Sequence, residues 1–175
     1  MDPILIVHGG AAARAGYKVL KRGGSALDAV EEAVRILEDD ESMNAGRGSV
    51  LNLDGEVEMD ASIMVGSTLA AGAVTIVRDI AHPVSLARLV MEKTPHVLLA
   101  GSGANKFAEE QGIPRVPPGS LITNDAVEAL AQFKKCGQIL TEIGGKDENS
   151  GEVGTVGAVA IDAKGHLAAA TSTGE

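Results

Sequence analysis

The sequence predicts a mixed α/β domain on three observations. A continuous apolar run, Ile4 to Val7, stands near the amino end and another, Val156 to Ile161, near the carboxyl end, both of strand length. Between them, Ser25 to Glu38 repeats its apolar residues at three- and four-residue spacing, as an amphipathic helix does. A chain of 175 residues with 45% hydrophobic residues and 22 glycines suits one soluble domain that can bury a single core.

The charge balance narrows the function classes. A formal net charge of −9, with no window that clusters Lys and Arg, argues against a nucleic-acid partner. No apolar stretch is long enough to span a membrane, and Asp2 followed by the short run Pro3 to Val7 is too brief and wrongly flanked for a signal peptide. Cys136 is the single cysteine, which excludes an internal disulfide and a metal site built on sulfur, and makes a cytoplasmic compartment the expectation.

Taken in order, Ile4 to Val7 reads as a buried strand left by the loop His8-Gly9-Gly10, a strand-to-helix turn whose glycines let the backbone approach another group closely. Ala11 to Arg22 leaves room for about three helical turns. Ser25 then caps a helix, with Asp28 reaching back as capping partner. Leu27, Val30, Val34 and Leu37 form its apolar stripe, while Glu31, Glu32, Arg35 and Glu38 are assigned to water. The acidic run Glu38 to Glu41 reads as a solvated helix end, leading into the glycine-rich loop Asn44-Ala45-Gly46-Arg47-Gly48.

Val50 to Leu53 and Val57 to Met64 flank Asp54-Gly55, which predicts a hairpin, and Gly72 to Val77 adds a strand. Pro83 behind His82 opens a helix. Val97 to Ala100 reads as a buried strand, and Gly103 to Gln111 as a short helix ended by Gly112 and Pro114. Val127, Leu130 and Phe133 give Asn124 to Cys136 helical spacing, and Gly144 to Gly151, all polar or glycine, reads as an exposed, protease-accessible loop. Val156 to Ile161 and His166 to Ala170 then pair as a buried hairpin across a Lys164-Gly165 turn. His82 and His96, without partners at ligand spacing, read as structural.

The stretch Gly154-Thr155-Val156-Gly157 carries the chemistry. It places a lone hydroxyl at the head of a strand, directly after a polar segment. A threonine hydroxyl is a weak nucleophile without a base, but at a chain terminus the α-amine, with an unperturbed pKa of roughly 8, takes its proton, so one residue supplies both functions. Creating that terminus requires Thr155 Oγ to attack the Gly154 carbonyl, and a residue without Cβ best tolerates the strained backbone of such an attack. In isolation the motif is more often an ordinary strand start with a β-branched residue.

It is not isolated. Ile4-Leu5-Ile6-Val7-His8-Gly9-Gly10-Ala11, Gly23 to Glu31, Asn44 to Val50, Met59 to Met64, Gly72-Ala73-Val74, Gly154-Thr155-Val156-Gly157 and Thr171-Ser172-Thr173-Gly174 occur in this order. Together they resemble the plant-type L-asparaginase and isoaspartyl peptidase family of N-terminal-nucleophile hydrolases, over nearly the whole chain except about Arg115 to Val153. The resemblance implies a four-layer αββα sandwich of that type, two stacked sheets with helices outside, incomplete in this chain. Residues 1–154 would be the α-subunit-like part of a single incomplete domain, and residues 155–175 the start of the β-subunit-like part.

The resemblance also implies the roles. An autoprocessing threonine amidohydrolase would cleave itself between Gly154 and Thr155 and then hydrolyse L-asparagine or isoaspartyl dipeptides through an acyl-enzyme on Thr155. Thr173 would be the hydroxyl bonded to Thr155, Asn44 the orienter, and Gly174 part of the substrate site. His8, Gly9 and Gly10 would influence processing. Backbone carbonyls of Leu37, Glu38, Asp40, Met43, Ala45 and Arg47 would surround a structural sodium ion, with no cofactor in the chemistry. A homodimer of processed subunits is the implied assembly.

Two departures set limits. The first helix is shorter than in relatives, which predicts an under-covered sheet face. Glu175 stands where relatives have a second glycine and continue into the arginine, aspartate and oxyanion donor of the substrate site. Turnover by the chain as given is therefore expected to be impaired, with bare apolar surface beside Val156, Val159 and Leu167. The alternatives are a non-catalytic fragment or regulatory partner of a full-length subunit, and glycosylasparaginase, against which Gly154 argues because that group has Asp before its threonine.

Overall fold

The computed structural model describes residues 2–136 and 154–175; the predicted exposed loop Gly144 to Gly151 lies outside the described residues. The described chain is mixed α/β, in the order β1 (Ile4–Val7), α1 (Gly10–Lys21), α2 (Ala26–Glu38), β2 (Met59–Val65), β3 (Ala71–Val77), α3 (Pro83–Lys93), β4 (Leu98–Ala100), α4 (Gly101–Glu110), α5 (Asn124–Cys136), β5 (Val156–Ile161) and β6 (Leu167–Gly174). The strands form one sheet in the order β1-β5-β6-β2-β3-β4. Neighbours are antiparallel except β3 and β4, which run parallel because α3 carries the chain between them.

The helices form where local chemistry directs them. Ser25 caps α2 in a full capping box: its hydroxyl accepts the Asp28 N–H at 3.1 Å and Asp28 answers the Ser25 backbone N–H. Pro83 stands at the first turn of α3 as expected. One face of the sheet is covered, with α2 on β5 and β6 and α3 on β2 and β3, and the core fills the space between. Gly72 permits the α3 contact, since a Cβ there would lie 2.1 Å from the Ala87 carbonyl oxygen. The charged sides of α2 and α3 meet each other. Arg88 reaches Asp28 and Glu31 at 2.7 Å each and Glu92 at 2.7 Å, so Glu31 is a helix-to-helix tie and does not face open water.

The opposite face of the sheet is bare over the described residues. Ile6 is 67% exposed, Leu167 57% and Val159 46%, whereas Val156 lies on the helix-covered face and is buried. This corrects three readings. The runs Ile4–Val7 and Leu98–Ala100 are edge strands exposed on one side, not buried ones, and the β5–β6 hairpin is buried on one face only. A continuous apolar run shows that both faces could be covered, not that both are.

The predicted hairpin around Asp54-Gly55 keeps its turn but loses its first strand. Asn52 Oδ1 accepts the backbone N–H groups of Asp54 and Glu56 at 3.0 Å each, folding the segment on itself, and the Val50 N–H is taken by Asn44. The Asn52 N–H also donates across the turn to the Glu56 carbonyl at 3.0 Å, so the turn is tied locally while 50–53 joins no strand of the sheet.

Candidate active site

Thr155 enters the sheet at the head of β5, and the ladder places it beside Thr173. Val156 opposes Ser172 in the β5–β6 register, so Thr155 and Thr173 are the next residues along and project from the uncovered face. The Thr155 hydroxyl donates to Thr173 Oγ1 at 3.1 Å, and the Thr173 hydroxyl in turn donates to the Gly174 carbonyl at 3.3 Å. Thr155 is exposed, while Thr173 is half-buried.

Asn44 secures the far end of this relay. Its Nδ2 donates to the Gly174 carbonyl at 3.2 Å, its own carbonyl accepts the Gly174 N–H at 3.1 Å, and its Oδ1 accepts the Val50 N–H at 3.0 Å. The expected orienter therefore holds Gly174, and through it Thr173, while the described bonds of its side chain do not reach Thr155. Gly174 has no space for a side chain: a Cβ would lie 2.3 Å from Ser49 Cβ and 2.7 Å from Asn44 Oδ1. Ser49, buried and bonded to the Gly46 carbonyl at 2.9 Å, is a wall of this seat that the sequence reading did not single out.

Gly154 behaves differently from expectation. A Cβ there would meet nothing within 4 Å, and its backbone is not in the left-handed region. Neither crowding nor resident strain requires glycine at this position, so any requirement belongs to the reaction.

The family match covers most of the residues just described. The chain matches the family model described as asparaginase over residues 9–175. It is 53% identical over 190 residues to the isoaspartyl peptidase/L-asparaginase of Mus musculus, covering 98% of this chain and 56% of that protein. Against the protein of the same name from Danio rerio it is 51% identical, covering 99% of this chain and 60% of the relative. Against the isoaspartyl peptidase of Salmonella typhimurium it is 50% identical over 160 residues, covering 91% and 51%. The chain belongs to this asparaginase family. It spans little more than half the length of these relatives.

In this asparaginase-family chain, His8, Gly9 and Gly10 leave β1 at the end where Thr155 enters, because Val7 opposes Ala158 in the β1–β5 register. Gly9, at φ 76°, stands at the N-cap of α1, and Gly10 is already the first helical residue. The expected sodium loop closes on itself, with the Arg47 N–H donating to the Glu38 carbonyl at 2.8 Å. The carbonyls of Leu37, Asp40 and Met43 accept backbone donors at 3.2, 3.0 and 2.9 Å, and each retains a second lone pair. No group of three His, Cys, Asp or Glu side chains is placed to hold a metal among the described residues, so a cation in this loop would rest on main-chain oxygens.

Glu38 corrects another expectation. The charge pattern places it in water, yet it is completely buried where α2 packs on β6; it follows Val34 by four residues, so the apolar stripe itself carries the signal. Its Oε1 accepts the Val84 N–H at 3.0 Å, while Oε2 and the neighbouring Ser172 hydroxyl both lack a partner of good geometry. Burial pushes the carboxyl up to about 8, against weaker opposing effects of the adjacent Ser172 hydroxyl and the Val84 N–H. From about pH 4.5 to about 8 the folded chain keeps a proton that the unfolded chain releases, so Glu38 favours folding at the acid end and this contribution is lost as pH rises. Denaturant titrations near pH 5 and pH 8 should show a stability slope of this sign that Glu38→Gln flattens; an equal slope in both proteins would remove Glu38 as its source.

Thr173 gives a second expected result. Thr173→Val preserves the β-branched shape but removes the acceptor for Thr155, and should slow cleavage at Gly154–Thr155 by about 10²- to 10³-fold, the scale of a lost positioned proton partner. Time courses on denaturing gels, with circular dichroism to confirm folding, measure it.

Proposed function

We propose that this chain is the nucleophile-bearing part of a threonine amidohydrolase that cleaves itself before Thr155 and then hydrolyses L-asparagine and isoaspartyl dipeptides. The observation that carries this reading is the Thr155 hydroxyl bonded to Thr173 at 3.1 Å at the exposed head of β5. The names of the curated relatives support the substrate class.

In the proposed first step Thr155 Oγ attacks the Gly154 carbonyl and the Gly154–Thr155 C–N bond breaks, which leaves an ester on Oγ and frees the Thr155 α-amine with the hydroxyl proton; water then hydrolyses the ester, releasing the Gly154 carboxylate and regenerating the Thr155 hydroxyl. In turnover that amine takes the hydroxyl proton, Oγ attacks the substrate's side-chain carbonyl, and the amine or ammonia departs with a proton. Water then hydrolyses the acyl-threonine to release aspartate. Thr173 holds the nucleophile's hydroxyl, and Asn44 fixes Thr173 through Gly174. Gly174 borders the substrate.

The finer architecture is a four-layer αββα sandwich, supported by the apolar uncovered face of the sheet, which a second sheet would bury. A sodium ion on the carbonyls of the 37–47 loop, a homodimer of processed subunits and a cytoplasmic location complete the reading. The loop's closure supports the first, family membership the second, and the single cysteine the third. No helix among the described residues is long and apolar enough to cross a membrane.

The deciding experiment measures cleavage at Gly154–Thr155, and release of ammonia from L-asparagine or of alanine from isoaspartyl-alanine, with and without an added full-length relative whose matching threonine is replaced by alanine so that it contributes no turnover of its own. Cleavage with turnover in either setting supports the proposal. An intact bond and no turnover in both would overturn it in favour of a non-catalytic unit.

A further inference from the structure

We propose that Asp60 is a positioning residue for the Thr155–Thr173 pair, acting through a bulge that its carboxylate closes in the neighbouring strand. This rests on the function proposed above for that pair and adds a residue to it.

The ladder between β2 and β3 slips at one point. Met59 opposes Val77 and Ala61 opposes Val74, so two steps along β2 match three along β3, and Asp60 faces the extra residue. The distortion sits at Ile76, whose φ of 53° is left-handed. A β-branched residue in that region is an outlier that persists only where its surroundings over-determine it, and such outliers cluster at functional sites. Here the restraint is visible: Asp60 Oδ1 accepts the Ile76 N–H at 2.8 Å, occupying the donor that the bulge takes out of the ladder.

On its other side Asp60 is the direct partner of Thr173 across the β2–β6 ladder. Directly opposed residues project from the same face with their Cβ atoms about 5 Å apart, so Thr155, Thr173 and Asp60 form one row across β5, β6 and β2. The next row, Ser62 and Thr171, is also tied, by a hydroxyl bond of 2.9 Å. The bulge thus lies directly across β2 from Thr173, and Asp60 is the side chain that ties it. Loss of its acceptor would let β3 relax into regular pairing and shift β2 beneath the relay. Displacements near 1 Å at a reacting group cost about 10²-fold in rate.

The test compares Asp60→Ala, Asp60→Asn and Ile76→Gly in the full chain carrying methyl-labelled threonine. Asp60→Ala should move the Thr173 methyl resonance and slow Gly154–Thr155 cleavage by about 10- to 100-fold. Asp60→Asn, whose amide oxygen still accepts the Ile76 N–H, should return both to wild type, and Ile76→Gly, which adopts the left-handed bulge without strain, should leave both unchanged. The proposal is overturned if Asp60→Ala leaves the resonance in place, if Asp60→Asn behaves like Asp60→Ala, or if Asp60→Ala lowers only thermal stability. Absence of cleavage in the unmodified chain would instead count against the proposed function, and the resonance comparison would still decide the role of Asp60.

Discussion

On the proposed self-processing, Thr155→Ala should leave the Gly154–Thr155 bond intact, whereas Thr155→Ser should still break it. Alanine has no oxygen to attack the Gly154 carbonyl, and the relay of hydroxyls from Thr155 to Thr173 to the Gly174 carbonyl then starts from nothing. Serine keeps the oxygen and loses only the methyl that favours the strand. Removing a nucleophile that works as part of a unit costs about 10⁶-fold in rate, beyond what a gel time course detects. The substituted side chain is exposed, so folding should be retained and the loss read as chemistry. Incubation followed by mass analysis of the fragments checks it. Breakage of the alanine variant at the same bond would assign cleavage to an external protease and remove the self-processing step.

Much of this site was legible in the sequence because its parts are marked by residue type. Thr155 is a hydroxyl at the head of a recognisable strand and Ser25 with Asp28 is a capping pair at fixed spacing that forms as read, whereas Thr173 lies beyond the strand read as His166 to Ala170 and is reached only through the family resemblance. What was not legible has a common physical cause: it depends on what packs against a residue from elsewhere in the chain. Ile4 to Val7 has the composition of a buried strand, but its exposure is set by the sheet's uncovered face. The turn at 52–56 is tied by the Asn52 side chain and backbone, yet 50–53 joins no strand of the sheet, which alternation alone does not reveal. The bulge at Ile76 carries no glycine to announce a left-handed residue, and Asp60 reads as an ordinary position of the motif until the register is known.

The same dependence makes Gly174 a position where a small change should damage both the fold and the candidate site. In Gly174→Ala the added methyl would sit 2.3 Å from Ser49 Cβ, 2.6 Å from Ser49 Oγ and 2.7 Å from Asn44 Oδ1, all inside contact distance. Neither wall is free to yield. Ser49 is fully buried and tied to Gly46, and Asn44 is held by Gly174 at both its backbone and its side chain and by Val50 at its Oδ1. The strand must therefore withdraw, breaking the two Asn44–Gly174 bonds and carrying Thr173 away from Thr155. Overpacking of a rigid site together with two lost hydrogen bonds should destabilise the chain by about 3 to 5 kcal/mol. Cleavage should fall by about 10²-fold in whatever remains folded. Gly154→Ala is the control, since a Cβ there meets nothing and stability should not change. Ser49→Gly removes the two nearest atoms and should restore part of the loss when combined with Gly174→Ala. Denaturant unfolding of the four proteins measures these effects; a Gly174→Ala chain as stable as wild type, or no recovery from Ser49→Gly, would mean that the Ser49–Asn44 seat yields to the methyl and does not hold Thr173 in place.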